Sequence, residues 1–211
     1  MEFRNKHRTI ALSGGIGAGK SVISEMLRIM GYEVYDCDRR AKIIVDRSQH
    51  ILTQLAQTFG AEILSAEGHL DRQRLAAIVF ADTRQLARLN AIVHGAVIDD
   101  LQRTISRHAA QFRTDGTCQA SDIIFFETAI LYESGLNSIC DEIWWVDAPR
   151  ETRIQRIIKR NNISRAQALS RMDSQEDHPR SKTGVHVITN DNIHAVMPQL
   201  IRLLDTSALK S

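Results

Sequence analysis

Apolar positions along this chain change their spacing in a way that orders its elements. The stretch "TIALSG", from Thr9, is a short continuous apolar run and predicts a buried strand. Residues 20–30, "KSVISEMLRIM", then place Val22, Ile23, Met26, Leu27 and Met30 at helical spacing. Gly31 stands where a helix end wants a left-handed residue. "YEVYDCD" alternates and predicts a second strand ending in acids. Strand, helix and strand within about thirty residues form a βαβ unit. From Arg39 to about Phe112 the pattern is mostly helical, with Asp71 as the N-cap of one helix. Strand patterns return at "DIIFFE" (Asp122–Glu127) and "EIWWVDAP" (Glu142–Pro149). Two buried strands so late predict a parallel sheet interrupted by a helical insertion. "ETRIQRIIKRNN" reads as a basic amphipathic helix, and Ser164 and Gln167 are spaced as a capping box in the next one. "VHVITN" is a last strand and 192–205 a closing helix.

Composition narrows the class. The 211 residues are 43% hydrophobic and 25% charged, ordinary for a water-soluble globular fold. A net charge of +2 is too small to point to nucleic acid, so anion recognition must be local. Cys37, Cys118 and Cys140 contain no CxxC pair, which predicts neither a disulfide framework nor a zinc site and suits a reduced, cytoplasmic setting. No signal peptide is visible, and no run of about 18 apolar residues predicts a membrane span.

The chemistry concentrates in Gly14-Gly15-Ile16-Gly17-Ala18-Gly19-Lys20-Ser21, which fits G-x-x-x-x-G-K-[ST] in full between a strand and a helix. Glycines let the backbone curl so that several N–H groups face phosphate oxygens, and the following helix adds its positive N-terminus. The loop, Gly15 to Ser21 with Val22, is therefore expected to bind ATP. Lys20 is expected at the β- and γ-phosphates and Ser21 on Mg2+. A motor usually needs a longer chain, and a GTPase would want an N/T-K-x-D motif that is missing. A small-molecule kinase needs an acceptor site and a mobile cover.

Candidates for both exist. Ligands of open α/β sheets sit beyond the carboxyl ends of the strands. Asp36 and Asp38 are expected there, and one carboxylate can orient the proton of an attacking hydroxyl. Each acid also suits the N-cap of the next helix. Glu127 ends "DIIFFE" in the position of a Walker B acid, where it can hold the metal directly or through water. Residues 150–182 carry nine Lys/Arg against four Asp/Glu. Arg153, Arg156 and Arg160 are expected to form one stripe opposite Ile154, Ile157 and Ile158, suited to charge stabilisation over transferring phosphate. Arg171 and Gln175 share a face at i, i+4. The segment lacks aromatics for stacking bases, so nucleic acid is not an expected partner.

Together these residues resemble the dephospho-CoA kinases. The matching pieces are "ALSGGIGAGKS", "YDCDRRAKIIV", "GHLDRQRLAAIVF", "LNAIVH", "AILYESGL", "VDAPRETRIQRIIKRNNISRAQALSRMDSQ" and "VITN". The resemblance implies an α/β P-loop NTPase core, a parallel sheet flanked by helices, at 1–38, 116–150 and 183–211. It adds a helical acceptor-binding region at 39–115 and a small lid at 151–182. It implies ATP-dependent phosphorylation of the ribose 3′-hydroxyl of dephospho-CoA, the last step of coenzyme A biosynthesis, with ATP and dephospho-CoA as small-molecule substrates. Asp36 matches the family's catalytic acid, Arg160 and Arg171 its lid arginines, and Arg72 and His94 its acceptor-binding positions. The chain departs from the family's usual pattern at Gly95, where a proline is usual, and at Glu127 and Ala129, where the family has D-x-P. A nucleoside or nucleotide kinase of similar build, and a non-catalytic ATP-binding regulatory module, are the alternatives.

Overall fold

A computed structural model describes residues 7–114, 122–173, 179 and 184–208. Cys118, Gln175 and the rest of 174–178 and 180–183 in the expected lid lie outside the described residues. The chain divides into two compact units, one made of residues 1–35 and 105–211 and the other of 36–104, with the boundary inside a single long helix.

The first unit carries a five-stranded sheet. Its strands are β1 (Arg8–Ser13), β2 (Glu33–Asp36), β3 (Ile123–Glu127), β4 (Glu142–Asp147) and β5 (Val185–Thr189), in spatial order β2-β3-β1-β4-β5. β1 pairs in parallel with β3 (Ile10 opposite Phe125) and with β4, and β4 with β5. A central parallel strand is covered on both faces, which explains why β1 is buried at every position and why its middle, Ile10-Ala11-Leu12, is continuously apolar. Ile10, Leu12, Phe125, Trp144, Val146 and Ile188 pack against Ile23 and Leu27 of α1 (Lys20–Ile29) and Leu200 and Leu204 of α8 (Val196–Ala208). Phe125 meets Trp144 edge to face with centroids 5.0 Å apart.

Two boundaries differ from the sequence reading. β2 stops at Asp36, not Asp38, because the Asp36 carboxylate turns back to accept the Arg39 N–H and starts α2 (Cys37–Arg47) at once. The closing helix begins at Val196, not 192, because Asp191 accepts the N–H groups of Ile193 and His194 in a capped turn. Those two bonds also hold the Asp191 carboxyl well below the usual carboxylate range.

The second unit is helical. It contains α2, α3 (Gln49–Phe59), α4 (Arg72–Ala81) and the first two thirds of α5 (Thr83–Thr114). Its own core gathers Val45, Ile51, Leu55, Phe59, Ile63 and Leu75, with Leu55 and Ile63 fully buried. Asp71 caps α4 by accepting from Gln73 and Arg74.

In the first unit His108 of α5 is 7% exposed, and its ring nitrogen lies 2.7 Å from that of His7. Burial lowers its pKa, with the nearby Arg107 adding to the shift and the Glu33 and Asp122 carboxylates opposing it. Below about pH 6.5, the free-imidazole value, the unfolded chain takes up a proton that the folded site resists. Stability contributed here is therefore full above that pH and lost as pH falls. His108→Asn is expected to flatten the decline in melting temperature between pH 7.5 and 5.5. An identical slope in parent and variant would exclude His108 as the source.

Candidate active site

Within the first unit, the turn from β1 into α1 is the phosphate loop. Gly19 is the N-cap of α1 and brings no side chain to cap its first turn, as at helix starts that receive anions, while the Val22 N–H bonds back to the Gly19 carbonyl at 3.1 Å. Lys20 is half-buried, and its ammonium donates to the Gly14 carbonyl at 2.7 Å and to the Gly15 carbonyl at 3.4 Å. Ser21 and Val22 are exposed at the helix start. Ile16 packs outward onto an apolar cluster of Ile154, Ile157, Ala168 and Met172.

The loop's carbonyls are held from outside. Arg156 of α6 (Arg150–Asn161) donates to the Ala18 carbonyl at 3.1 Å and to the backbone oxygen of Asn190 at 3.0 Å. Asn190, just past β5, donates through its amide to the same Ala18 oxygen at 2.8 Å. Sequence reading gave Asn190 no role. It ends the matching piece "VITN", but its partner lies 172 positions back along the chain, which only the fold brings near.

At the end of β3, Glu127 accepts a 2.6 Å hydrogen bond from the Ser24 hydroxyl. Ser24 lies fully buried one turn beyond Ser21 on α1. Ser21 and Glu127 offer oxygen donors of the kind magnesium takes. Among the described residues no group of three His, Cys, Asp or Glu is assembled to hold a metal. The pair fits magnesium at phosphoryl-transfer sites, where one or two protein oxygens join phosphate and water oxygens.

The basic helix divides into three environments. Arg153 is buried, Arg156 half-buried and Arg160 exposed in the last turn of α6. The expectation of one basic stripe fails because Arg153 stands four residues before Ile157 and so shares its buried face. α6 is tied to α7 (Arg165–Asp173) by Arg165, which donates twice to Glu151 at 2.7 and 2.8 Å, and by Arg150 to Asp173 at 3.1 Å. The Arg165 bonds lower the Glu151 pKa. The Ser164–Gln167 capping box forms as read. Arg171 lies exposed in the last turn of α7.

In the helical unit, Asp36 is half-buried as the N-cap of α2, its carboxylate fixed by Arg39 N–H at 2.9 Å. Arg72, first residue of α4, pairs with Asp46 at 2.6 Å across half-exposed surface, an ion pair of small energetic weight. A cavity of about 330 Å3 opens beside it, lined by Lys42, Arg72 and Asn90 among apolar residues such as Leu75, Val79 and Leu89. His94 is half-buried one helical turn beyond Asn90.

Comparison with known proteins now decides the kinship. The family model described as dephospho-CoA kinase matches residues 8–195. The chain belongs to the dephospho-CoA kinase family. It is 37% identical over 204 residues to the dephospho-CoA kinase of Porphyromonas gingivalis, covering 96% of this chain and 95% of that one. With the dephospho-CoA kinase of Bacteroides fragilis it shares 35% identity over 196 residues, 92% of this chain and 90% of the other. Among solved structures, a Thermus thermophilus protein superposes with a TM-score of 0.72 at 29% identity, covering 97% of this chain and 98% of its own. The dephospho-CoA kinase of Campylobacter jejuni, at 22% identity, shares the fold with a TM-score of 0.65 over 93% of this chain and 95% of that one. The five-stranded parallel sheet with flanking helices is thus the P-loop α/β fold of this family. Among the described residues no helix is long and apolar enough to cross a membrane.

Proposed function

We propose that this protein transfers the γ-phosphoryl group of ATP to the ribose 3′-hydroxyl of dephospho-CoA, yielding CoA and ADP in the cytoplasm. The observation that carries the reading is a complete phosphate loop at an uncapped helix start, in a chain matched along 8–195 to the dephospho-CoA kinase family. Phosphoryl transfer through a loose transition state asks mainly for positioning and charge. Gly15 to Val22 supply backbone N–H groups and the helix terminus. Lys20 turns from its carbonyl partners to the γ-phosphate. Ser21 and Glu127 would hold Mg2+, which when bound neutralises charge shared by the β- and γ-phosphates. Asp36, held rigid by the start of α2, orients the acceptor hydroxyl. Arg160 and Arg171 lie on a lid within 151–182 and meet the phosphates when it closes. In the helical region, Arg72 and His94 meet polar groups of the acceptor, and the cavity beside Arg72 takes its pantetheine arm.

The test is an acceptor series of dephospho-CoA, AMP and adenosine, with phosphorus NMR locating the new phosphate. Remote binding contacts position the reacting hydroxyl, so truncation should lower kcat as well as raise KM. Equal kcat/KM for adenosine and dephospho-CoA would make the protein a nucleoside kinase. ATP binding with no acceptor phosphorylated would make it a regulatory module.

The lid roles predict separable variants. Arg160→Ala and Arg171→Ala each remove an exposed side chain, so melting temperature should hardly change. Transfer should fall by about tenfold or more, the weight of a charged hydrogen bond to transferring phosphate. A variant that melts early and regains full rate in the cold would show its arginine to be structural.

A further inference from the structure

Arg153 is the buried cation of α6, 4% exposed. Burying a guanidinium is costly unless its donors are used, and at this position an apolar residue would complete the face that Ile157 presents. Instead the Arg153 Nε donates to the Ile16 carbonyl at 3.0 Å. The loop is seated closely on the same residue. A Cβ on Gly15 would stand 2.2 Å from a terminal nitrogen of the Arg153 guanidinium and 2.6 Å from its central carbon. Gly17 has φ +81°, and a Cβ there would stand 2.7 Å from the Arg153 backbone oxygen. Arg153 thus approaches the loop at two glycines: its fixed main chain leaves no room for a side chain at Gly17, and its movable guanidinium lies against Gly15.

We propose that Arg153 is a positioning residue that sets the direction of the phosphate loop's N–H groups. A trans peptide is planar, and its C=O and N–H point opposite ways. Holding the Ile16 oxygen toward α6 therefore turns the Gly17 N–H away from α6, to the side where a loop of this kind receives phosphate. The guanidinium also places a fixed positive charge behind a loop that must gather anionic oxygens. Arg153 acts through the peptide it holds. Arg156 and Asn190 hold the Ala18 oxygen in the same sense one peptide pair later.

The inference rests on reading the loop as a site for nucleotide phosphates, and its test uses nucleotide binding apart from transfer. ATP affinity is measured by calorimetry on the full chain for the parent, Arg153→Met and Arg153→Lys, together with melting temperature and the KM of the acceptor. Arg153→Met keeps length and removes donor and charge. It is expected to weaken ATP binding by about tenfold to a hundredfold, the effect of losing a hydrogen bond from a charged donor. Arg153→Lys should recover part of that loss, and acceptor KM should change little in both. Parental ATP affinity in Arg153→Met overturns the proposal. So does a loss that falls equally on ATP and acceptor and that lysine does not relieve, because that pattern marks a role in folding alone. If Arg153→Met does not fold, Arg153→Lys decides: weakened ATP binding at an unchanged acceptor KM supports the proposal, and parental binding overturns it. A parent that binds ATP but does not phosphorylate dephospho-CoA refutes the functional reading while leaving this result standing. A parent that binds no ATP overturns both.

Discussion

Lys20→Ala should lose at least about 10²-fold in kcat while melting within a few degrees of the parent. The magnitude follows from removing a fixed charge that acts on the transferring group in a site shielded from water. The small change in melting follows from the lysine's surroundings. Its ammonium contacts the carbonyls of Gly14 and Gly15 and is only half-buried. Losing such bonds costs about 1 kcal/mol, which moves the melting temperature of a chain of this size by only about 2–4 °C. Lys20→Arg should not rescue the rate. A planar guanidinium on a longer side chain cannot replace a compact ammonium inside a closed loop. Turnover near the parental value for Lys20→Ala at saturating ATP would remove the phosphate-loop assignment.

Asp36→Asn should lower kcat by about 10²- to 10⁴-fold, the usual weight of a group that handles a reacting proton. ATP affinity should stay near the parental value. Asparagine is the substitution to use because the proposed catalytic acid is also a helix cap. Its carboxylate accepts the Arg39 N–H as the N-cap of α2, and asparagine caps a helix as well as aspartate does. Alanine would add a capping loss of about 0.5–2 kcal/mol and confuse stability with chemistry. Kinetics of Asp36→Asn set beside its ATP affinity then separate the roles. A fall in ATP affinity matching the fall in kcat would move Asp36 to the metal.

The β1-loop-α1 passage was legible because three independent signals coincide there. A continuous apolar run gives way to glycines and then to a 3.6-residue apolar period, and each change has one physical meaning. The acids at Asp36 and Asp38 were half legible. The sequence shows that they follow a strand, but the side-chain bond to Arg39 decides where the strand ends, and it puts Asp38 in the first helical turn. There its negative charge complements the helix dipole. Arg153 was misread because charge was weighed above angle. Its offset of four from Ile157 puts it on the inner face, where the Ile16 carbonyl that it binds comes from 137 positions away. Asn190 stood in the matching piece "VITN", but its bond to the Ala18 carbonyl depends on the fold. Glu127 could be placed at a strand end, but its bond to Ser24 depends on β3 lying beside α1, a proximity that one sequence does not state. The helical unit shows the same limit. Its amphipathic periods announced the helices, while the cavity beside Arg72 depends on how those helices pack.

The order of the sheet also sets a timetable for synthesis. β1 is the first strand to leave the ribosome, yet its partners begin at Ile123 and Glu142. At about 5–20 residues per second the first strand waits on the order of 6 to 25 s for a neighbour. Residues 36–104 form a continuous stretch with their own core, so they can fold during that wait and shorten the slack chain between β1 and β3. Nascent chains arrested with only residues 1–110 exposed should already protect Leu55 and Leu75 from protease while Ile10 and Leu12 stay cleavable. The apolar run that makes β1 a good central strand is, for those seconds, an unshielded sticky segment and the natural point for a chaperone to engage.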